Sequence, residues 1–115
     1  MAVRTPERLS RKALRAVQNA ANVRELSAIS LTEIAAKAAA GKLAFTREDV
    51  LQGIADLQLR LVPFTADHGL DLFDLPSHHR DPFDRLIIAQ ALAEQIPVVT
   101  CDQQFRRYKG LTVIW

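Results

Sequence analysis

The sequence has 115 residues, 49% of them hydrophobic, and a formal net charge of +2, so its composition is that of one folded domain rather than of a disordered chain. No apolar run reaches membrane-spanning length and the N-terminus lacks the apolar segment of a signal peptide, which predicts a cytoplasmic protein without membrane association. The single cysteine excludes an intrachain disulfide, and no cysteines and histidines have zinc-site spacing.

Helices and strands alternate along the first half of the chain. Ser10 is typical of an N-cap and begins the first predicted helix. A short strand is predicted at residues 26–29. Ser30 and Glu33 then have the spacing of a capping box, which predicts an alanine-rich helix ending near Gly41.

The second half continues the alternation. Thr46 and Asp49 repeat the capping-box spacing and predict a helix to about Leu57. The further predicted elements are a strand at 59–64, a short helix from Thr65, a helix at 82–95, and strands at 96–101 and 111–115. Strands separated by helices predict an α/β fold with a parallel sheet and right-handed crossovers.

The segment before and within the helix at 82–95 carries two carboxylates at a helix start. Asp81 stands where an N-cap belongs, Pro82 suits the first helical position, and Asp84 is the third helical residue. These residues explain why a helix begins here. Carboxylate oxygens at a helix N-terminus can also hold a hard divalent cation, and the segment by itself leaves both interpretations open.

Three acidic residues lie near the ends of the predicted strands. Glu33 lies just past the strand at 26–29, Asp102 directly follows the strand at 96–101, and Asp84 begins the helix leading into that strand. Ligands of parallel α/β sheets gather at the carboxyl ends of the strands, which predicts an acidic site there. Helix capping is an alternative explanation for Glu33 and for Asp102.

Three stretches of the sequence together match the motif order of a known family. They are residues 27–35, 79–91 and 99–105. They resemble the motifs of PIN domains, and most closely those of VapC-type toxins of bacterial toxin–antitoxin systems, over nearly the whole chain from Leu9 onward. The resemblance implies a PIN-like three-layer sandwich with a central parallel sheet of order 3-2-1-4-5. It further implies an endoribonuclease that hydrolyses RNA phosphodiester bonds, is neutralised by a cognate antitoxin and commonly forms a homodimer.

The resemblance also implies a set of catalytic and metal-binding residues. Glu33, Asp84 and Asp102 match the second, third and fourth acids of the family's catalytic cluster around Mg²⁺ or Mn²⁺. Asp81 matches an accompanying acid that we include among the metal-binding candidates. Carboxylate and water ligands suit Mg²⁺ and agree with a site built without cysteine.

Basic residues flank the acidic ones in the same segment. Arg80 and Arg85 are candidates for binding RNA phosphates, or they pair with the neighbouring aspartates. His78 and His79 are adjacent loop histidines, which are more often solvent-exposed, and the family's chemistry does not require them.

The N-terminus departs from the family pattern. PIN domains begin with an apolar strand that ends in the first acid, whereas residues 1–7 offer only Ala2 and Val3 as strand-forming residues and contain no aspartate. We therefore predict that residues 1–115 form one domain truncated at its N-terminus, with the first strand missing. Alternatives are a mis-assigned translation start, a strand supplied by another chain, or a rearranged fold.

The missing acid has a functional consequence. With three of four acids present, we expect weak or no nuclease activity. The alternative function is a catalytically inactive PIN remnant that binds an antitoxin or dimerises.

Overall fold

The computed structural model describes residues 2–3, 10–19 and 21–115. The helices are α1 (Arg11–Gln18), α2 (Ala28–Ala39), α3 (Arg47–Asp56), α4 (Ala66–Leu70) and α5 (Pro82–Glu94). The strands are β1 (Ala2–Val3), β2 (Glu25–Ser27), β3 (Arg60–Val62), β4 (Val98–Val99) and β5 (Val113–Ile114), and 3₁₀ turns cover Asp71–Phe73 and Gln103–Arg107.

The five strands form one sheet in the order β3-β2-β1-β4-β5, and every neighbouring pair is parallel. The α/β class and the parallel sheet are therefore confirmed, and the strand order is the one that the family resemblance implies. Each strand has only two or three residues, so the predicted strands at 59–64, 96–101 and 111–115 were too long.

The prediction that the first strand is missing is wrong. Ala2 pairs with Glu25 of β2 on one side and with Val98 of β4 on the other, and Val3 lies opposite Val99. Two residues are enough to fill the centre of the sheet because β4 is itself only two residues long. The absence of the aspartate stands, since residues 1–9 contain none.

Side-chain caps begin the helices that the sequence predicted. The Ser10 hydroxyl accepts from the Ala13 N–H at 3.1 Å. At α3, the Thr46 hydroxyl accepts from the Asp49 N–H at 3.1 Å, and the Asp49 carboxylate accepts from the Thr46 N–H at 2.9 Å, which completes the predicted capping box. These local bonds satisfy backbone donors that a helix start leaves unpaired.

Helix α2 begins earlier than predicted. Its N-cap is Ser27, the last residue of β2, whose hydroxyl accepts from the Ile29 N–H at 3.1 Å. The predicted capping box of Ser30 and Glu33 is therefore wrong, because both residues lie inside the helix and both are buried. The strand turns directly into the helix, which places Glu33 on the face of α2 directed into the protein.

The main apolar core surrounds α5. It consists of buried side chains from α5, β4, the second 3₁₀ turn with its C-cap, and β5, namely Ile87, Ile88, Ala91, Val98, Phe105, Tyr108 and Val113. Packing on this core sets the position of the α5 N-terminus relative to the turn that follows β4. No helix among the described residues has the length and apolar character needed to cross a membrane.

Candidate metal centre

The N-terminus of α5 presents the two aspartates that the sequence placed there. Asp81 is the N-cap, and its carboxylate accepts from the Phe83 N–H at 2.8 Å. Asp84 lies in the first turn and is half-buried. One aspartate thus caps the helix while the other extends from its first turn toward the end of β4.

Asp102 follows β4 and begins the second 3₁₀ turn. One carboxylate oxygen accepts from the Gln104 N–H at 2.9 Å, and the Asp102 N–H donates to the Thr100 hydroxyl at 3.2 Å. The capping interpretation of Asp102 is therefore correct for this oxygen. The second oxygen lies 3.1 Å from Nε2 of His79, so the same side chain caps the turn and takes part in a polar cluster.

His79 is a functional candidate that the sequence reasoning missed. Its side chain is only 7% exposed, whereas we expected a solvent-exposed loop residue. Besides the contact with Asp102, its Nδ1 lies 3.0 Å from the Tyr108 hydroxyl. Tyr108 follows the second 3₁₀ turn, more than twenty residues further along the chain. No local sequence pattern around position 79 could therefore have revealed this burial.

His79, Asp84 and Asp102 form a compact group, in which one potential ligand atom from each residue lies within 4.8 Å of the others. All three residues are partly buried, so the group is held by the protein and still accessible to solvent. Two carboxylates and an imidazole are ordinary ligands of divalent cations. The donor set therefore fits a divalent metal ion.

Glu33 is placed apart from this group of three. Its side chain is 2% exposed, and one carboxylate oxygen lies 2.9 Å from the Lys37 ammonium. It lines a groove of about 550 Å³ between α2 and the start of α5. Other polar or aromatic residues lining this groove are Lys37, Lys42, Arg80, Asp81 and Phe83. The structure thus brings Asp84 and Asp102 together, while Glu33 and Asp81 share the groove.

The two candidate arginines have different surroundings. Arg80 is exposed and lines the groove. The Arg85 guanidinium instead donates to the carbonyl oxygens of Pro76 at 3.1 Å and of Leu75 at 3.4 Å. These bonds brace the loop that leads into α5.

The family follows from a sequence comparison. Residues 2–111 match the model of the PIN domain. The chain belongs to the PIN domain family. No curated protein matches it in sequence.

Solved structures share the fold of this PIN domain. One is VapBC2 from Rickettsia felis bound to a DNA fragment from their promoter, with a TM-score of 0.63 and 22% identity, covering 87% of this chain and 77% of that chain. Another is DNA-bound VapBC from Salmonella typhimurium, with a TM-score of 0.61 and 17% identity, covering 87% of this chain and 76% of that one.

Proposed function

We propose that this PIN domain is a metal-dependent endoribonuclease of the VapC toxin type, which hydrolyses RNA phosphodiester bonds. The observation that carries the proposal is the close approach of Asp84 and Asp102 at the junction of α5 and β4, within 4.8 Å of each other and of His79. PIN domains are generally nucleases, and among the described residues this group brings two carboxylates and an imidazole together.

In the proposed mechanism Asp84 and Asp102 would hold Mg²⁺ or Mn²⁺, and Glu33 and Asp81 would contribute from the adjoining groove. Bound there, such an ion would supply activation of water and neutralisation of charge on the phosphate oxygens. The protein keeps Asp102 in place through the Gln104 N–H, so little rearrangement is needed on binding.

The groove beside the acidic group is suited to an RNA strand. The Lys42 and Arg80 side chains line it and provide positive charge beside the proposed site of cleavage, whereas Lys37 is paired with Glu33. We assign the contact with a phosphate there to Arg80, because this residue is exposed and lines the groove. Arg85 supports the same surface through its carbonyl contacts, and direct binding of Arg85 to RNA stays a prediction.

We further propose that a cognate antitoxin neutralises the protein in the cytoplasm, because the fold is that of chains solved as VapBC complexes. Exposed apolar side chains on and beside α3 provide a surface for such a partner or for a homodimer. Phe45, Leu51 and Leu57 are 55%, 58% and 43% exposed. These residues favour a second candidate function, an inactive module that binds the antitoxin or dimerises.

The test is RNA cleavage by the purified chain with Mg²⁺ or Mn²⁺, beside Asp84→Asn. We expect slow cleavage by the wild type, abolished by a chelator and at least about 100-fold slower in Asp84→Asn, because a metal ligand is lost. Asp56→Asn is the matched control, since this exposed residue at the end of α3 accepts a bond from Gln52 and is not among the potential metal ligands found in the described residues. Circular dichroism checks that both variants fold.

A different pattern would favour the inactive module. In that case the folded wild type cleaves no RNA with either metal. Its molar mass in solution is then that of a dimer, and Leu51→Lys, which places a charge on the exposed apolar surface, lowers it to that of a monomer.

A further inference from the structure

We propose that His79 is a nitrogen ligand of this metal centre and that it makes the centre bind Mn²⁺ in preference to Mg²⁺. The inference rests on the proposed metal site and adds a residue and an ion preference to it.

The His79 ring is held in one position by aromatic packing. It meets the Phe105 ring edge-on with centroids 4.9 Å apart and stacks on the Tyr108 ring with centroids 5.5 Å apart. Phe105 belongs to the 3₁₀ turn that Asp102 begins. The imidazole and the Asp102 carboxylate are therefore fixed relative to each other by one short segment of chain.

The Tyr108 hydroxyl is compatible with the tautomer that a metal ligand needs, because a phenol oxygen accepts as well as donates. With its proton on Nδ1, the ring would donate to the Tyr108 oxygen across 3.0 Å, and an ion at Nε2 would replace the present contact of Nε2 with Asp102. Histidine ligands of metals almost always donate their second ring N–H to a neighbouring acceptor, which fixes both tautomer and orientation. Tyr108 is 2% exposed, so this contact is shielded from competing water.

The spacing of the donor atoms agrees with a shared ion. Nε2 of His79 lies 3.1 Å from the Asp102 oxygen. Adjacent ligand atoms of an octahedral ion are about 3 Å apart, because metal–oxygen distances are about 2.1 Å. A ring nitrogen of His79 is also within 4.8 Å of an Asp84 oxygen, so the imidazole faces both carboxylates rather than supporting Asp102 alone.

A nitrogen ligand changes which ion the centre prefers. Mg²⁺ favours oxygen ligands, whereas affinity for nitrogen donors is greater among the divalent transition metals, of which Mn²⁺ keeps the preference for carboxylates. We expect Mn²⁺ to bind at least about 10-fold more tightly than Mg²⁺ in the wild type.

The experiment is pulsed electron paramagnetic resonance on the purified full chain loaded with Mn²⁺, combined with calorimetric titration of Mn²⁺ and of Mg²⁺. An imidazole nitrogen bound directly to Mn²⁺ gives a hyperfine coupling between the nitrogen nucleus and the Mn²⁺ electron spin. A more distant ring does not give this nitrogen coupling. We expect this coupling in the wild type. In His79→Gln it should be lost, with Mn²⁺ affinity about 10–100-fold lower and Mg²⁺ affinity much less affected.

His78→Gln is the matched control, since it makes the same change at the neighbouring residue, whose ring contacts Tyr108 edge-on but is not one of the potential ligands, and it should keep the nitrogen coupling. Should His79→Gln fail to fold, ¹⁵N-histidine labelling of the wild type identifies the coupled nucleus as histidine. His78→Gln and His68→Gln then assign it by elimination, because the chain has three histidines.

The outcomes separate this inference from the proposed function. Mn²⁺ binding that is lost in Asp84→Asn but shows no nitrogen coupling in the wild type overturns the role of His79 and leaves the nuclease proposal standing. Failure of the folded wild type to bind either ion overturns both.

Discussion

Single buried polar side chains connect α5 to the sheet. Gln90 is 3% exposed, accepts from the Ser27 hydroxyl and donates to the Pro63 carbonyl at 3.0 Å. Ser27 also caps α2, so one contact links the helix carrying Asp84 to the start of the helix carrying Glu33. This contact is costly to disrupt, because the Ser27 and Gln90 side chains are buried away from water.

Gln90→Leu should lower the free energy of unfolding by about 1–3 kcal/mol, since it leaves the Ser27 hydroxyl and the Pro63 carbonyl without their partner. Urea denaturation measures the change. Gln52→Leu is the control, because Gln52 is exposed on α3 and its loss should cost less than about 0.5 kcal/mol. Equal stabilities of the two variants would falsify the role given to Gln90.

Residues differed in how far the sequence revealed their roles. Asp81 and Asp102 act as caps and Asp84 lies in a first helical turn, as local patterns predicted, because capping depends on neighbours within a few residues. The burial of His79 depends on Phe105 and Tyr108, which only the folded chain brings to it. Residues whose role depends on near neighbours can be predicted from the sequence, whereas residues buried by distant segments cannot.

At the scale of elements, the stability of α3 depends strongly on the cap at its N-terminus. None of its residues is buried, so tertiary packing stabilises it less than it stabilises α5. Helices of about ten residues are marginal on their own, which makes the capping box at Thr46 important.

Thr46→Ala should therefore destabilise α3 by about 0.5–2 kcal/mol, by removing the hydroxyl that accepts from the Asp49 N–H. Hydrogen exchange measured amide by amide is the appropriate readout, because the loss is expected to be local and confined to α3. Thr32→Ala is the control. Its exposed hydroxyl donates to the Ala28 carbonyl within α2 and does not cap the helix, so α2 amides should keep their protection. Unchanged exchange in α3 would show that packing, not the cap, holds this helix.

The start of α2, next to β2, is a position where the sequence-based prediction failed. We predicted Ser30 as the N-cap because Glu33 completes the box spacing, and did not consider Ser27, which is the same residue type. The pairing of β2 with β3 through Ser27 and Val62 fixes the end of the strand, and the helix begins at the next residue. A long-range strand register therefore decided between two locally reasonable caps.

At the scale of the whole molecule, a two-residue strand holds the centre of the sheet. The backbone of β1 lies between β2 and β4, which carry the segments leading to Glu33 and Asp102. The site residues of both segments therefore depend on β1 for their relative position.

Val3→Pro should lower the free energy of unfolding by about 1–3 kcal/mol for each backbone group that it leaves unpaired, because proline does not donate to a strand ladder. Ile114→Pro is the comparison, since β5 is an edge strand with a neighbour on one side only. Thermal and urea denaturation should show the larger loss for Val3→Pro. The reverse order would contradict the central role of β1.

The sequence by itself determined the α/β class, the parallel sheet, most helix starts and the positions of Asp84 and Asp102, because these follow from short-range capping and from the alternation of helices and strands. Tertiary structure decided that Ala2 and Val3 complete the sheet, that Glu33 is buried within α2, and that His79 meets Asp84 and Asp102. Each of these depends on segments far apart in the chain, whose mutual positions are set by strand register and by packing on α5 rather than by any local preference.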